Sequence, residues 1–368
     1  MLNFVIDKDI PFIKGVFEPY ARVVYLKGAE IDNSCLRHAD ALIVRTRTRC
    51  DAALLSDTRV RFIASATIGT DHVDLQYCNS HGIHFENAAG CNSSAVMQYV
   101  YTALFALVHK DSRILDDSAR QGKRPVIGVI GVGNVGSKVA ALGEYLGFDV
   151  LRNDPPREAL QERALAEGRL SANEATSYCR LGFLLRNSDI VTMHVPLLDT
   201  TRGMAGSTFF SSMKPGAVFV NTSRGEAVDE TALLASRRKL SGLIIDVWNN
   251  EPAINTALLD AADIATPHIA GYSVEGKANG TLMVVRAAAR YFGIGELENY
   301  EIPKEMYDKS LTPVLDLKGK GAGQIFKELY EIFPIFNLDN LLRDNVSDFE
   351  HIRSNYKLRR EFHVYQQR

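Results

Sequence analysis

The sequence predicts an α/β protein whose largest part is a doubly wound parallel sheet of the Rossmann type. Three observations carry that expectation. Short apolar strands alternate with helix-like stretches from residue 125 to 268. A glycine-rich turn, Gly131-Val132-Gly133-Asn134-Val135-Gly136, follows the first of those strands and opens a helix. A smaller series of strand-like runs, with helix-like or turn-like flanks, fills the first ninety residues.

Taken in order, Phe4–Ile6, Val23–Leu26, Ala41–Val44 and Phe62–Ala66 read as strands of a small α/β unit. Asn92 reads as the cap of a long helix ending near Lys110, apolar enough to pack between two bodies, so the first domain boundary is placed at its start. PVIGVIG is a buried strand, NVGSKVAALGEYLG a helix and FDVLRND a second strand. DIVTMHVP, AVFVNTS, LIIDVW and DIATPH complete the strands, with helical stretches such as VDETALLASRRKL between them. Residues 157–187 make a longer crossover than this fold requires. After His268, SVEGKANGTLMVVRAAARYFG reads as a helix that returns to the first unit. In the tail, Ile325, Phe326, Leu329, Ile332 and Phe333 form one helical face, which suits either packing on the same chain or a subunit contact.

Composition narrows the function. The 368 residues allow two or three domains. With 42 Lys+Arg against 44 Asp+Glu, the chain lacks the basic surplus of a general nucleic-acid binder or a polybasic membrane anchor. Five cysteines (Cys35, Cys50, Cys78, Cys91 and Cys179) with no CxxC pair speak against a disulfide framework and for a reducing, cytoplasmic setting. Asp7 and Asp9 interrupt what a signal peptide would need, and the apolar run Ala95–Val108 is too short to span a bilayer. His72, His81 and His84 lack the completing ligands of a metal site, so none is expected. Lys318–Gly323 matches a phosphate loop only in composition.

The chemistry-bearing residues follow the strands. In the glycine turn, Gly131 makes the tight bend, Gly133 lets the backbone approach a pyrophosphate, and Gly136 lets helix and strand close up. The helix start at Asn134 and Val135 offers its dipole and free N–H groups to phosphate. Asp154, 18 residues beyond Gly136, is placed to accept ribose hydroxyls and to repel a 2′-phosphate, which favours NAD over NADP. Arg224, Glu251 and His268 each follow a later strand. A guanidinium suits a carboxylate, an imidazole accepts a hydroxyl proton as hydride leaves, and a carboxylate orients the imidazole. Each of the three has an ordinary structural reading by itself; together they point to oxidation of a 2-hydroxy acid.

GVIGVGNVG, NTSRG, DVWNNEP and TPHIAGY resemble the D-isomer-specific 2-hydroxyacid dehydrogenases. ATIGTDHVD, AAGCNSSAV, HIAGYSVEGKANGT and the tail FEHIRSNYKLRREF resemble the branch of that family acting on 4-phospho-D-erythronate. The resemblance implies NAD-linked oxidation of that compound to (R)-3-hydroxy-2-oxo-4-phosphobutanoate, an early step toward pyridoxal 5′-phosphate. It implies a flavodoxin-like substrate (lid) domain over residues 1–92, rejoined by the helix at about 273–293. It further implies an NAD-binding domain over 93–272 and a small α+β dimerisation domain over 300–368, hence a homodimer. It assigns Arg224, Glu251 and His268 to catalysis. Asp154, Thr222, Ser223, Asp246 and Gly271 match cofactor positions, and Thr46, Thr67 and Tyr272 match substrate positions. The substrate phosphate calls for cations. Alternation along the strand would put Arg45, Arg47 and Arg49 on one face, and at least one of Arg45 and Arg47 is expected to touch the phosphate or the C1 carboxylate. The other readings are a phosphoglycerate- or glyoxylate-type dehydrogenase, or an NAD-sensing corepressor-like binding protein.

Overall fold

The computed structural model describes residues 1–114 and 123–364. The chain divides into two compact units, one formed by Met1–Asn92 with Tyr272–Pro313, the other by Ser93–Gly271 with Val314–Arg368.

The first unit is built on five parallel strands: β1 (Leu2–Asp7), β2 (Ala21–Leu26), β3 (Ala41–Val44), β4 (Phe62–Ser65) and β5 (His84–Asn87). Their spatial order, β2-β1-β3-β4-β5, is the flavodoxin-like order. β3 and β4 are buried along their whole length, as parallel strands covered on both faces must be. One face meets Val284, Val285, Ala288 and Ala289 of the helix Val274–Phe292, and the other meets Leu36, Leu54, Leu55 and Cys78 of short helices. The sequence reading missed β5, because its residues HFEN are polar and it lies at the sheet edge.

The second unit carries six parallel strands: β6 (Val126–Ile130), β7 (Asp149–Asn153), β8 (Ile190–Met193), β9 (Val218–Asn221), β10 (Gly242–Ile245) and β11 (Ile264–Ala265). Their order is β11-β10-β9-β8-β6-β7, with the topological switch beside β6. The long crossover explains itself here. Among the described residues no strand flanks β7 on its outer side; instead Cys179 N donates to Arg152 O (2.8 Å), and Asn153 Nδ2 donates to Cys179 O (2.8 Å). The crossover therefore shields an edge that would otherwise present unpaired backbone groups.

The helix Ser93–Lys110 has the expected extent, but two expectations about it change. Asn92 Oδ1 is buried with no hydrogen-bond partner among the described residues, so it caps nothing. The helix's apolar bulk is used within the second unit. On one side Tyr101 Oη donates to Val139 O of the helix Gly136–Tyr145 (2.7 Å); on the other, Tyr99 packs at a tilt against Phe333 and His109 stacks on Phe326. Phe326 belongs to the tail helix Ala322–Ile332, whose Ile325 and Leu329 are buried, as is Phe333 just beyond it; that face packs on its own chain.

The tail adds two short paired strands, β12 (Val314–Leu315) and β13 (His363–Val364), and the helices Ile335–Asp344 and Phe349–Ser354. The first of these helices closes the other sheet edge. Buried Asp339 accepts Ala265 N–H of β11 (2.7 Å) and pairs with Arg343, which donates to Leu259 O and Ala262 O (both 2.7 Å). Asp339→Ala strips the edge of its acceptor and leaves Arg343 without its carboxylate. It is expected to cost about 2–4 kcal/mol, read as a thermal midpoint several degrees lower by circular dichroism. An unchanged midpoint would show that the edge needs no such cover.

Candidate active site

The register of the sheet sets the site. Asn153, Ile130, Met193, Asn221, Ile245 and Ala265 stand side by side across all six strands. The next residue on each strand therefore forms the carboxyl-end rim: Asp154, Gly131, His194, Thr222, Asp246 and Thr266. Ligands of open α/β sheets bind at this rim.

The nucleotide half of the rim fits a dinucleotide. Gly131 has φ +82°, and a Cβ there would lie 2.6 Å from His194 O; a Cβ on Gly136 would lie 1.9 Å from Gly131 O. These two glycines answer to internal packing. Gly133 does not: no atom lies within 4 Å of its Cβ position, so the lack of a side chain keeps open the space above the turn. Asn134 and Val135 lead directly into the helix Gly136–Tyr145. Asp154 Oδ2 accepts Val132 N–H (2.7 Å) and Oδ1 accepts Arg157 N–H (3.1 Å). It caps the following helix and is fastened to the glycine turn, with lone pairs left for ribose hydroxyls.

The catalytic candidates occupy the other half. Buried Asn221 shapes the arginine turn: Oδ1 accepts Ser223 N–H (3.0 Å) and Ser223 Oγ–H (2.7 Å), and Nδ2 donates to Arg224 O (3.0 Å). Arg224 Nη1 donates to Ser223 O (2.8 Å). Gly225 lies against the next loop so closely that a Cβ would fall 2.0 Å from Trp248 C and 2.4 Å from Asn249 N. That loop carries Glu251, whose Oε1 accepts Trp248 N–H (3.0 Å). His268 Nδ1 lies 2.8 Å from Glu251 Oε2 and 3.0 Å from Oε1. Burial works to raise the Glu251 pKa, but the His268 imidazole, Arg353 and the Trp248 N–H outweigh it and hold the carboxyl below its ordinary range. An ionised partner fixes the tautomer: Nδ1 carries the proton, and Nε2 is the basic atom. Nε2 meets no hydrogen-bond partner among the described residues.

Asp246 stands on the rim just past β10. It is 1% exposed, and its oxygens accept Thr266 Oγ–H (2.6 Å), Ile269 N–H (2.8 Å) and Ala270 N–H (2.9 Å). Here it braces the loop that holds His268 and leads to Gly271. Thr222 Oγ1 lies 3.3 Å from His194 Nδ1, and His194 Nε2 lies 3.0 Å from Thr192 Oγ1. Sequence reasoning gave no role to Asn221, the first residue of NTSRG, or to His194; only their places at and just past strand ends marked them.

The substrate candidates belong to the first unit. β3 ends at Val44, so Arg45, Thr46 and Arg47 enter a turn and the strand alternation expected for Arg45, Arg47 and Arg49 does not continue. Arg45 is held by Asp7 (2.9 Å) and Asp9 (2.9 Å), and Arg49 by Asp51 (2.8 Å). Thr46 and Arg47 are exposed. Thr67 Oγ1 bonds Ser65 Oγ (2.7 Å), which also meets His72 Nε2 (3.1 Å). Lys277 Nζ sits 4.3 Å from the ring centre of Tyr272. His81 and His84 bond Tyr77 O and Glu86, apart from His72. No group suited to a metal ion occurs among the described residues.

Desolvation pushes the His194 pKa down to about 3, although part of the residue remains accessible. A depressed histidine stabilises the fold fully above its unfolded pKa, near ~6.5, and that contribution is lost as the pH falls toward the folded value. Thermal midpoints measured from pH 7 to pH 4 should therefore fall more steeply for the native chain than for His194→Gln. Parallel curves would mean that the ring is not held neutral.

Residues 109–270 match the family model for the NAD-binding domain of D-isomer-specific 2-hydroxyacid dehydrogenases. The erythronate-4-phosphate dehydrogenase of Bacteroides fragilis is 39% identical over 99% of this chain and 98% of its own length. That of Chromohalobacter salexigens is 41% identical over 80% of this chain and 73% of its own. Among solved structures, a D-lactate dehydrogenase from Aquifex aeolicus complexed with NAD and lactic acid superposes with a TM-score of 0.64 and 26% identity, over 82% of this chain and 99% of that one. Residues 109–270 of the second unit are thus an NAD-binding domain, and no helix among the described residues is long and apolar enough to cross a membrane. The chain belongs to the erythronate-4-phosphate dehydrogenases, an NAD-dependent oxidoreductase branch of the D-isomer-specific 2-hydroxyacid dehydrogenase family.

Proposed function

We propose that this protein oxidises 4-phospho-D-erythronate at C2 to (R)-3-hydroxy-2-oxo-4-phosphobutanoate, in the synthesis of pyridoxal 5′-phosphate. The carrying observation is the His268–Glu251 pair at 2.8 Å, on the same sheet rim as the Arg224 turn and the glycine turn.

Arg224 binds the C1 carboxylate and polarises the C2 oxygen. Glu251 holds the imidazole through Nδ1–H, which leaves Nε2 of His268 to take the hydroxyl proton. NAD, when bound, supplies the hydride acceptor. Gly131, Gly133, Asn134, Val135 and Gly136 hold its pyrophosphate, Asp154 its ribose, and Thr222, Ser223, Asp246 and Gly271 line the rest of its site. Of these, Asp246 acts through the backbone it braces. Thr46, Thr67 and Tyr272 bind substrate. At least one of Arg47 and Arg45, the latter already paired with Asp7 and Asp9, contacts the C4 phosphate or the C1 carboxylate. The protein works as a cytoplasmic homodimer. The extent of similarity to erythronate-4-phosphate dehydrogenases, nearly end to end, favours this reading over a phosphoglycerate- or glyoxylate-type enzyme or a corepressor.

NADH formation followed at 340 nm should appear with 4-phospho-D-erythronate and be far weaker with 3-phosphoglycerate; the reverse preference overturns the assignment. His268→Gln should lower kcat by about 10²–10⁴ while NAD binding, read by calorimetry, stays nearly intact. Of Arg45→Ala and Arg47→Ala, at least one should raise KM about tenfold or more, the worth of one charge-assisted contact, with little change in kcat; unchanged values in both overturn the assignment.

A further inference from the structure

Glu251 has a second charged neighbour, to which the sequence reading gave no role. Arg353 lies on the helix Phe349–Ser354 of the tail, about a hundred residues further along the chain. Its Nη1 stands 3.4 Å from Glu251 Oε2, the same oxygen that His268 Nδ1 approaches to 2.8 Å. Neither partner is more than 19% exposed, so water screens the pair poorly. The helix is firmly seated: Phe349 and Ile352 are buried, and Phe349 joins the core beneath the sheet. A few residues on, buried Arg359 donates to Ala270 O, to Ile269 O (3.2 Å) and to Ala95 O (3.0 Å), with its guanidinium 4.5 Å from the centre of the Phe333 ring. One tail segment thus grips both the carboxylate that orients His268 and the backbone just after His268.

We propose that Arg353 is a positioning residue that sets the working pH of the proposed catalytic histidine through Glu251. This rests on the reading of His268 as the proton acceptor. The reasoning is electrostatic. A bare carboxylate beside an imidazole favours the imidazolium, which cannot accept a proton. A guanidinium on the same oxygen offsets that charge, so the imidazolium is held less strongly and the neutral base persists to lower pH. The base is thereby available for oxidation of the alcohol at lower pH. The other groups around the pair are fixed. Asp246 is bonded to the loop beneath His268, and Arg224 sits on the neighbouring turn. Glu350 and His351 of the tail helix bond Ser354 and Asn355, respectively.

The test is titration of the His268 imidazole in the full-length protein by NMR with ¹³C-labelled histidine, assigned by loss of the signal in His268→Gln. Alongside it runs the pH profile of kcat/KM for oxidation. Arg353→Met keeps the apolar stem and removes the charge. It should raise the His268 midpoint by about 0.5–1 pH unit, as expected when a nearby cation is lost, and should move the acid limb of kcat/KM upward by the same amount. Arg353→Lys keeps the charge and should leave both within 0.2 unit, roughly the error of such a fit. An unmoved midpoint in Arg353→Met, with activity lowered equally at every pH, overturns the proposal and leaves Arg353 a packing residue. Should Arg353→Met fail to fold, Arg353→Lys decides: a midpoint displaced by a full unit overturns it, and an unmoved midpoint supports it. The titration needs no substrate, so it still judges Arg353 if 4-phospho-D-erythronate is not turned over.

Discussion

The site depends first on a buried carboxylate that does no chemistry. Asp246 follows β10 on the sheet rim, where desolvation raises its pKa and burying its charge would be costly. Three donors offset that cost: the Thr266 hydroxyl and the N–H groups of Ile269 and Ala270. Those donors are the loop that follows β11. To deliver them, the chain must turn sharply at His268, which adopts φ 56°, a conformation uncommon for a residue with a side chain. The constraint that solvates Asp246 therefore also holds His268 in its unusual backbone. Tyr99 extends the brace by bonding Thr266 Oγ1 (2.6 Å), which ties the loop to the long helix Ser93–Lys110.

The imidazole's orientation then follows from a second carboxylate on a different loop. Asn250, with φ 58°, makes the bend that brings Glu251 around, and asparagine tolerates that region better than most residues. The two carboxylates have opposite environments. Asp246 is satisfied by neutral donors and burial dominates, so its proton affinity rises. Glu251 faces an imidazole and a guanidinium, so its proton affinity falls. The one braces backbone; the other stays ionised beside the ring it orients. Such divergence between nearby acids is how a single sheet edge divides structural from electrostatic work.

Much of this was legible in the sequence, for reasons that are physical. The glycine turn is readable because close approach excludes a side chain at Gly131 and Gly136, and Arg224, Glu251 and His268 because each follows an apolar strand, three, six and three residues past its end. The strands themselves, buried on both faces, advertise their positions as continuous apolar runs. The polar edge strand His84–Asn87 carries no such run and went unseen. Arg45 and Arg47 read together as candidates for the phosphate or the C1 carboxylate, and nothing local shows that Arg45 pairs with Asp7, 38 residues earlier. The pairing of Arg353 with Glu251 is hidden for the same reason, at a separation of 102 residues. Asn92 misled in the other direction: a residue type that often caps helices was present, but its oxygen was not used. Local chemistry is written locally, whereas ion pairs that close across the fold are not.

The relation between Arg224 and Glu251 shows how little of the constellation rests on side chains alone. No contact between the two side chains is needed to keep them in register. Their loops touch through main chain, at Gly225 against Trp248 and Asn249, more closely than any Cβ permits. Trp248 is fixed in turn by Nε1–H donating to Thr266 O (2.9 Å), so the arginine turn, the glutamate loop and the histidine loop are linked backbone to backbone through one indole. Hydrogen-bonded main chain loses less geometry to thermal motion than long, solvated side chains do, which is the condition for a guanidinium, a carboxylate and an imidazole to act on a single small substrate. The glycine in NTSRG is therefore read better as a spacing element of the catalytic set than as a turn residue.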